Sequence, residues 1–161
     1  MKKMTLDFKD GIVKIDGYTV ELSSFENFTS SEFYKTHSEF TRIGKFYFAK
    51  DDIEWEGQNF IVEFRPAVFS FNSSLFLTSK DGNFYQTLKD WELRASLKNL
   101  KDEEKRLTDW IQNKLSKKKM VKISTPPYGV KWNFQWGELT VQSNERSFDC
   151  GIYIEIGRAH V

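Results

Sequence analysis

The chain has 161 residues, with 24 Lys and Arg against 23 Asp and Glu, a formal net charge of +1. That length suits one ordinary domain, and an aromatic share of 16%, with 15 Phe, 6 Tyr and 5 Trp, excludes a disordered chain. No run approaches the roughly 20 apolar residues of a spanning helix, and residues 1–7 lack the apolar core of a secretion signal, so no membrane association and a cytoplasmic address are expected.

The first 22 residues read as β-structure. Asp10-Gly11 is a hairpin turn signal, because glycine accepts the positive φ of a type I′ turn. Pairing about it sets Phe8 opposite Val13 and Leu6 opposite Ile15. Asp16-Gly17 either folds residues 18–22 back as a third strand or marks a bulge. Ser23, Ser24 and Ser31 are N-cap candidates for one or two short helical turns that carry Phe25, Phe28 and Phe33.

Residues 40–79 return to strands: 43–48, 53–55, 60–64, 68–71 and 75–78, with a turn at 56–59 and a close at Asp81-Gly82. Residues 83–119 contain neither Gly nor Pro and form the main helical region. Leu88, Trp91 and Ala95, then Leu107, Trp110, Ile111 and Leu115, repeat at helical spacing. Asp102-Glu103-Glu104 could cap a second helix, so one helix and a helix broken near 99–102 both fit. Lys117 to Lys119 fall where a helix dipole is negative. Residues 130–136 alternate strictly, with Trp132, Phe134 and Trp136 on one face. Residues 139–141 and 152–154 supply the last strands.

Together these elements predict a single α+β domain over residues 1–155: a β-hairpin, a short helix, a β-meander, a long helical region and C-terminal strands in a mainly antiparallel sheet. The Trp132, Phe134 and Trp136 face should pack on the helical region. Residues 156–161, Ile-Gly-Arg-Ala-His-Val, can be encoded as ATC GGA AGA GCA CAC GTC, a string that resembles a common sequencing adapter. They are set aside from fold reasoning as adapter-derived, with the native C-terminus expected to be truncated.

Chemistry is sparse. With His160 set aside, His37 is the single credible histidine, and no local motif joins it to Cys150, the lone cysteine. One Cys and one His cannot build a structural zinc site, and no phosphate-binding glycine loop is present, so no metal or cofactor is expected. Asp51-Asp52-Ile53-Glu54-Trp55-Glu56 places acids beside a tryptophan. Trp, Tyr, Phe and Arg concentrate binding energy at interfaces, so Asp51, Asp52, Glu54, Trp55 and Glu56 are the candidate partner-binding residues. Arg94, Lys98, Lys101 and Lys105 form a basic stripe on one helix face and are the candidates for nucleic-acid binding. The near-neutral charge and the interleaved Asp90, Asp102 and Asp109 argue for a solvated, partly paired stripe.

Phe134-Gln135-Trp136-Gly137-Glu138-Leu139, the polar turn Asn144-Glu145-Arg146-Ser147 and the closing Ile152-Tyr153-Ile154 resemble the ending of many small uncharacterised bacterial proteins. The hairpin at Asp10-Gly11, the meander and Asp109-Trp110-Ile111 fit the same pattern, which departs at Asp149-Cys150-Gly151. Several similar families are immunity proteins of bacterial toxin systems. The resemblance implies a small cytosolic, non-enzymatic companion of another protein, with a toxin domain as partner and no catalytic residues to carry over. The alternative is a nucleic-acid-binding or regulatory protein, and an enzyme built on converging carboxylates comes third.

Overall fold

In the computed structural model, residues 2–37, 39–68, 72–87, 96–115 and 122–157 are described. The expectations for residues 69–71, for Leu88 to Ala95 with Arg94, for Lys117 to Lys119 and for residues 158–161 lie outside these.

The first hairpin joins β1 (Lys2–Leu6) to β2 (Val13–Ile15). Its register is Met4 opposite Ile15 and Leu6 opposite Val13, not the pairing expected from a two-residue turn. The loop is six residues long because it bonds to itself. The Gly11 amide donates to the Asp7 carbonyl at 2.8 Å, and the Asp7 and Asp10 carboxylates accept from the Lys9 and Ile12 amides. A shift of two keeps the same residues inward, so Met4, Leu6, Val13 and Ile15 are still buried. Asp16 and Gly17 both take positive φ and turn the chain into β3 (Tyr18–Thr19).

Two one-turn helices follow, α1 (Phe25–Ser30) and α2 (Glu32–Thr36). Ser24 caps the first by accepting from the Asn27 amide, and Ser31 caps the second by accepting from the Tyr34 amide. Their Phe28 and Phe33 rings pack on Phe64 at 5.6 and 5.5 Å.

The strand expected over 43–48 is instead a hairpin, β4 (Phe40–Ile43) and β5 (Phe46–Ala49), because Gly44 turns at φ 62°. Then come β6 (Ile53–Trp55), a turn at Glu56-Gly57, β7 (Gln58–Arg65) and β8 (Ser73–Ser79). Helix α3 (Asn83–Thr87) leads to the region outside the described residues, and α4 (Leu97–Leu115) starts at Ser96, whose hydroxyl accepts from the Asn99 amide at 3.3 Å. The helix therefore begins ahead of the Asp102 cap expected for a second helix. The C-terminal strands are β9 (Lys122–Ser124), β10 (Gly129–Phe134), β11 (Gly137–Asn144) and β12 (Asp149–Ile156).

These strands form one mostly antiparallel sheet in the order β3-β2-β1-β6-β7-β8-β12-β11-β10-β9. β1 and β6 run parallel. β7 is shared on one side, with its first half paired to β6 and its second half to β5. The fold is thus a single α+β domain with a long helix, as expected. The core lies between one face of the sheet and the helices: Phe60, Val62, Phe64, Leu75, Leu77, Leu139, Val141, Ile152 and Ile154 meet Leu100, Leu107 and Ile111. Among the described residues no helix is long and apolar enough to cross a membrane.

Trp132 is buried on that helix-covered face, as expected, but Trp136 is not in its strand. It sits in the tight turn between β10 and β11, stacks on Phe134 at 4.9 Å, and donates Nε1–H to the Phe8 carbonyl at 2.9 Å. A side chain at Gly11 would collide with its ring, so Trp136 pins the β1–β2 loop to the C-terminal strands. Gly137 is glycine because a Cβ there would overlap the Glu155 carbonyl oxygen.

Candidate functional site

Trp55 is not on the surface expected of the acidic hairpin. Trp55 is 2% exposed, with Trp110 of α4 edge-on at 5.4 Å and Phe60 at 6.2 Å. It alternates inward with Ile53, so it lies beneath the acids rather than beside them. Those acids are tied to lysines of β1, of α4 and of the turn after β8: Asp52 to Lys80 at 2.8 Å, Glu56 to Lys114 at 3.7 Å and Glu54 to Lys3 at 3.9 Å. The bond to Asp52 raises the Lys80 pKa above its ordinary value. Asp51 stays exposed.

The basic stripe is paired as well. On α4, Lys98 binds Asp102 at 2.8 Å and Lys105 binds Asp109 at 2.7 Å, four residues on in each case. Lys101 lies 3.5 Å from Glu104 and 3.7 Å from Glu145. Asp102 and Asp109 therefore neutralise Lys98 and Lys105, whereas Arg106 takes Glu103. Arg94 lies outside the described residues.

Cys150 and His37 do not meet. Cys150 is buried near Glu103 and Glu104 of α4, and burial pushes its thiol pKa far up, away from thiolate chemistry. His37 ends α2 between Phe33 and Phe40, at 4.8 and 5.1 Å, and neither ring nitrogen has a hydrogen-bond partner among the described residues. Burial first, then Lys2, lowers its pKa, while Asp51 and Asp16 act the other way. Among the described residues, no group of three His, Cys, Asp or Glu could hold a metal ion.

The arrangement that stands out is on the other side of the sheet. α1, α2 and α4 all pack on one face. Among the described residues no helix packs on the opposite face, whose residues lie in transverse rows set by strand register, with Glu63 and Thr140 buried. One row runs Phe48, Glu63, Phe76, Tyr153, Thr140 and Lys131, and the next runs Phe46, Arg65, Ser74, Glu155, Glu138 and Asn133. Arg65 is the hub. Its guanidinium lies 4.5 Å from the Phe46 ring centre, 5.2 Å from Tyr153 and 5.5 Å from Phe76, and it binds Glu63 at 2.7 Å. Such cation–π contacts hold the arginine flat against the sheet. Phe76 and Tyr153 stack at 4.4 Å across β8 and β12. Gly151 makes room for this: a Cβ there would strike the Phe76 ring.

Farther along, Glu138 and Glu155 face each other across β11 and β12. Lys131 reaches Glu138 at 3.3 Å, and Asn72 donates to Glu155 at 3.0 Å. Burial, then the shared bond and charge of Glu138, raise the Glu155 pKa against the opposing pull of Asn72 and Lys131.

None of these open-face residues was among the sequence candidates. The available signal was charge inside an apolar strand. Glu63 and Arg65 interrupt the run Phe60-Ile61-Val62 at two-residue spacing, which places both on one face. No family model matches the chain, and neither a curated protein nor a solved structure matches it.

Proposed function

We propose that the protein acts by binding another protein through the open face of its sheet, without catalysis of its own, as an immunity-type antitoxin whose partner is a toxin domain. The observation that carries this reading is the cluster of Phe46, Arg65, Phe76 and Tyr153 on the face away from the helices. Aromatics and arginine are the residues that dominate interface energies. Here they are also held in place before any partner arrives, which lowers the entropic cost of association. The class of partner comes from the resemblance of the Phe134-Gln135-Trp136-Gly137 block to families that include immunity proteins. The nucleic-acid alternative is less well supported, because Lys98, Lys101 and Lys105 already face carboxylates.

The test is protection. The native host's toxin genes are expressed one at a time with this protein or with its Phe46→Ala/Tyr153→Ala variant. Growth rescued by the wild type and lost in a variant with an unchanged unfolding midpoint supports the reading. A wild type that rescues none and co-purifies with none of the toxin domains overturns it.

A further inference from the structure

The β4–β5 hairpin, residues 40–49, ends the sheet beside β7, as β3 and β9 end it elsewhere. Among the described residues β4 is bonded on one side only, to β5, so its outer edge offers unpaired backbone groups. At its end, Ile43 and Phe46 face each other across the Gly44-Lys45 turn, and they are 61% and 38% exposed. Cations flank this pair in sequence, with Arg42 on the opposite face of β4. Arg42 bonds to the Gly44 carbonyl at 2.9 Å and lies over Phe25 and Tyr47, and Lys45 projects from the turn. Among the described residues, no carboxylate forms an ion pair with Arg42 or Lys45. Lys50 pairs with Glu39 at 3.3 Å, and Arg65 beneath Phe46 pairs with Glu63. The hairpin itself, residues 40–49, thus holds two cations and no carboxylate.

An edge guarded only against self-pairing carries charge and little apolar surface. This edge carries both, and its surplus charge is positive within a half of the chain, residues 1–80, that is net acidic. We propose that the β4 edge is the docking site for an extended, acidic segment of the partner protein, which adds to the sheet beside β4. An apolar side chain of that segment covers Ile43 and Phe46, and its flanking carboxylates meet Arg42 and Lys45. The inference rests on the protein-binding reading and names the chemistry of the partner. Backbone pairing supplies affinity in such strand addition, and charge complementarity supplies steering and register.

The probe is a phage-displayed library of random twelve-residue peptides, panned on the wild-type protein and on Arg42→Glu/Lys45→Glu. Both substituted side chains are exposed and outside the core. The wild type should enrich peptides rich in Asp and Glu around one or two aliphatic or aromatic residues. Synthetic copies should bind the charge-reversed variant about tenfold more weakly, and raising salt should weaken their binding to the wild type. Enriched peptides with no acidic excess, or peptides that bind the reversed variant equally well, overturn this inference and leave protein binding by the sheet face standing. A library that enriches nothing also overturns it. If the wild type then binds single-stranded DNA in a salt-dependent way and the reversed variant does not, the protein-binding reading falls with it.

Discussion

The two faces of this sheet handle their charges differently. Against α4, polar groups form closed circuits, although His37, under α2 on the same side, has no hydrogen-bond partner among the described residues. Glu103, whose side chain is 2% exposed, receives Nε and a terminal nitrogen of Arg106 at 2.6 and 2.9 Å. Arg106 also donates to Gln58 at 3.0 Å and Ser79 at 2.9 Å, and Ser79 donates to Gln58. Gly82 is small because a Cβ there would strike this guanidinium and carboxylate. The open face leaves its charges partly satisfied. Among the described residues the Nε of Arg65 is buried without a hydrogen-bond partner, and the facing Glu138 and Glu155 share an ion pair from Lys131 to the first and a hydrogen bond from Asn72 to the second. Burial against α4 requires saturation, since an unpaired buried charge is costly. Away from α4, pairing is less complete.

The largest test of this contrast compares aromatics from the two faces. Trp55→Ala should cost about 3–5 kcal/mol of stability, because it opens a cavity beneath Phe60 and Trp110. Phe46→Ala should cost less than about 1 kcal/mol, since its ring is already partly in water. Urea unfolding of both variants measures the gap. Equal costs would erase the distinction between a covered and an open face.

Next in size is the covered ion pair. Arg106→Met should cost about 3 kcal/mol, because it strands Glu103 among apolar side chains. Adding Glu103→Leu should recover most of that loss, for the double variant removes the charge that lacked a partner. A double variant no more stable than Arg106→Met would mean that the pair is worth more than its desolvation.

Much of this architecture was legible locally. Asp16-Gly17 and Glu56-Gly57 turn where small or polar residues accept positive φ, and Ser24 and Ser31 cap where serine should. The α+β class followed from a Gly- and Pro-free stretch set between alternating strands. The errors have separate origins, most of them local. The first hairpin is two residues out because Asp7 and Asp10 bond within its loop, which frees Phe8 to stack with Phe134 at 5.7 Å. The break at Gly44 was hidden by strong β-formers on both sides. Trp55 read as surface because its acidic neighbours did, although strand alternation sends it the other way. The open-face cluster unites β5, β7, β8 and β12, and only register brings Phe46, Arg65, Phe76 and Tyr153 together. A single strand shows the spacing of Glu63 and Arg65 but not what lies beside them.

The smallest expected effect concerns the two facing carboxylates, and its sign depends on pH. Glu155 has its pKa raised above the ordinary 4.5, by burial first and then by Glu138. The folded state therefore holds this proton more tightly than the unfolded chain does. Its contribution to stability is fully present below about pH 4.5 and is lost as pH rises through the raised value. At neutral pH the two glutamates face each other as like charges across neighbouring strands, an arrangement that costs a few tenths of a kcal/mol up to about 1. Glu155→Gln removes one charge and keeps an oxygen to accept from Asn72. It should stabilise the protein by about 0.5 kcal/mol at pH 7, and that gain should vanish near pH 4. Unfolding curves at the two pH values decide it. A variant less stable than wild type at pH 7 would mean that Lys131 and Asn72 already compensate both carboxylates, and the open face would then be as saturated as the covered one.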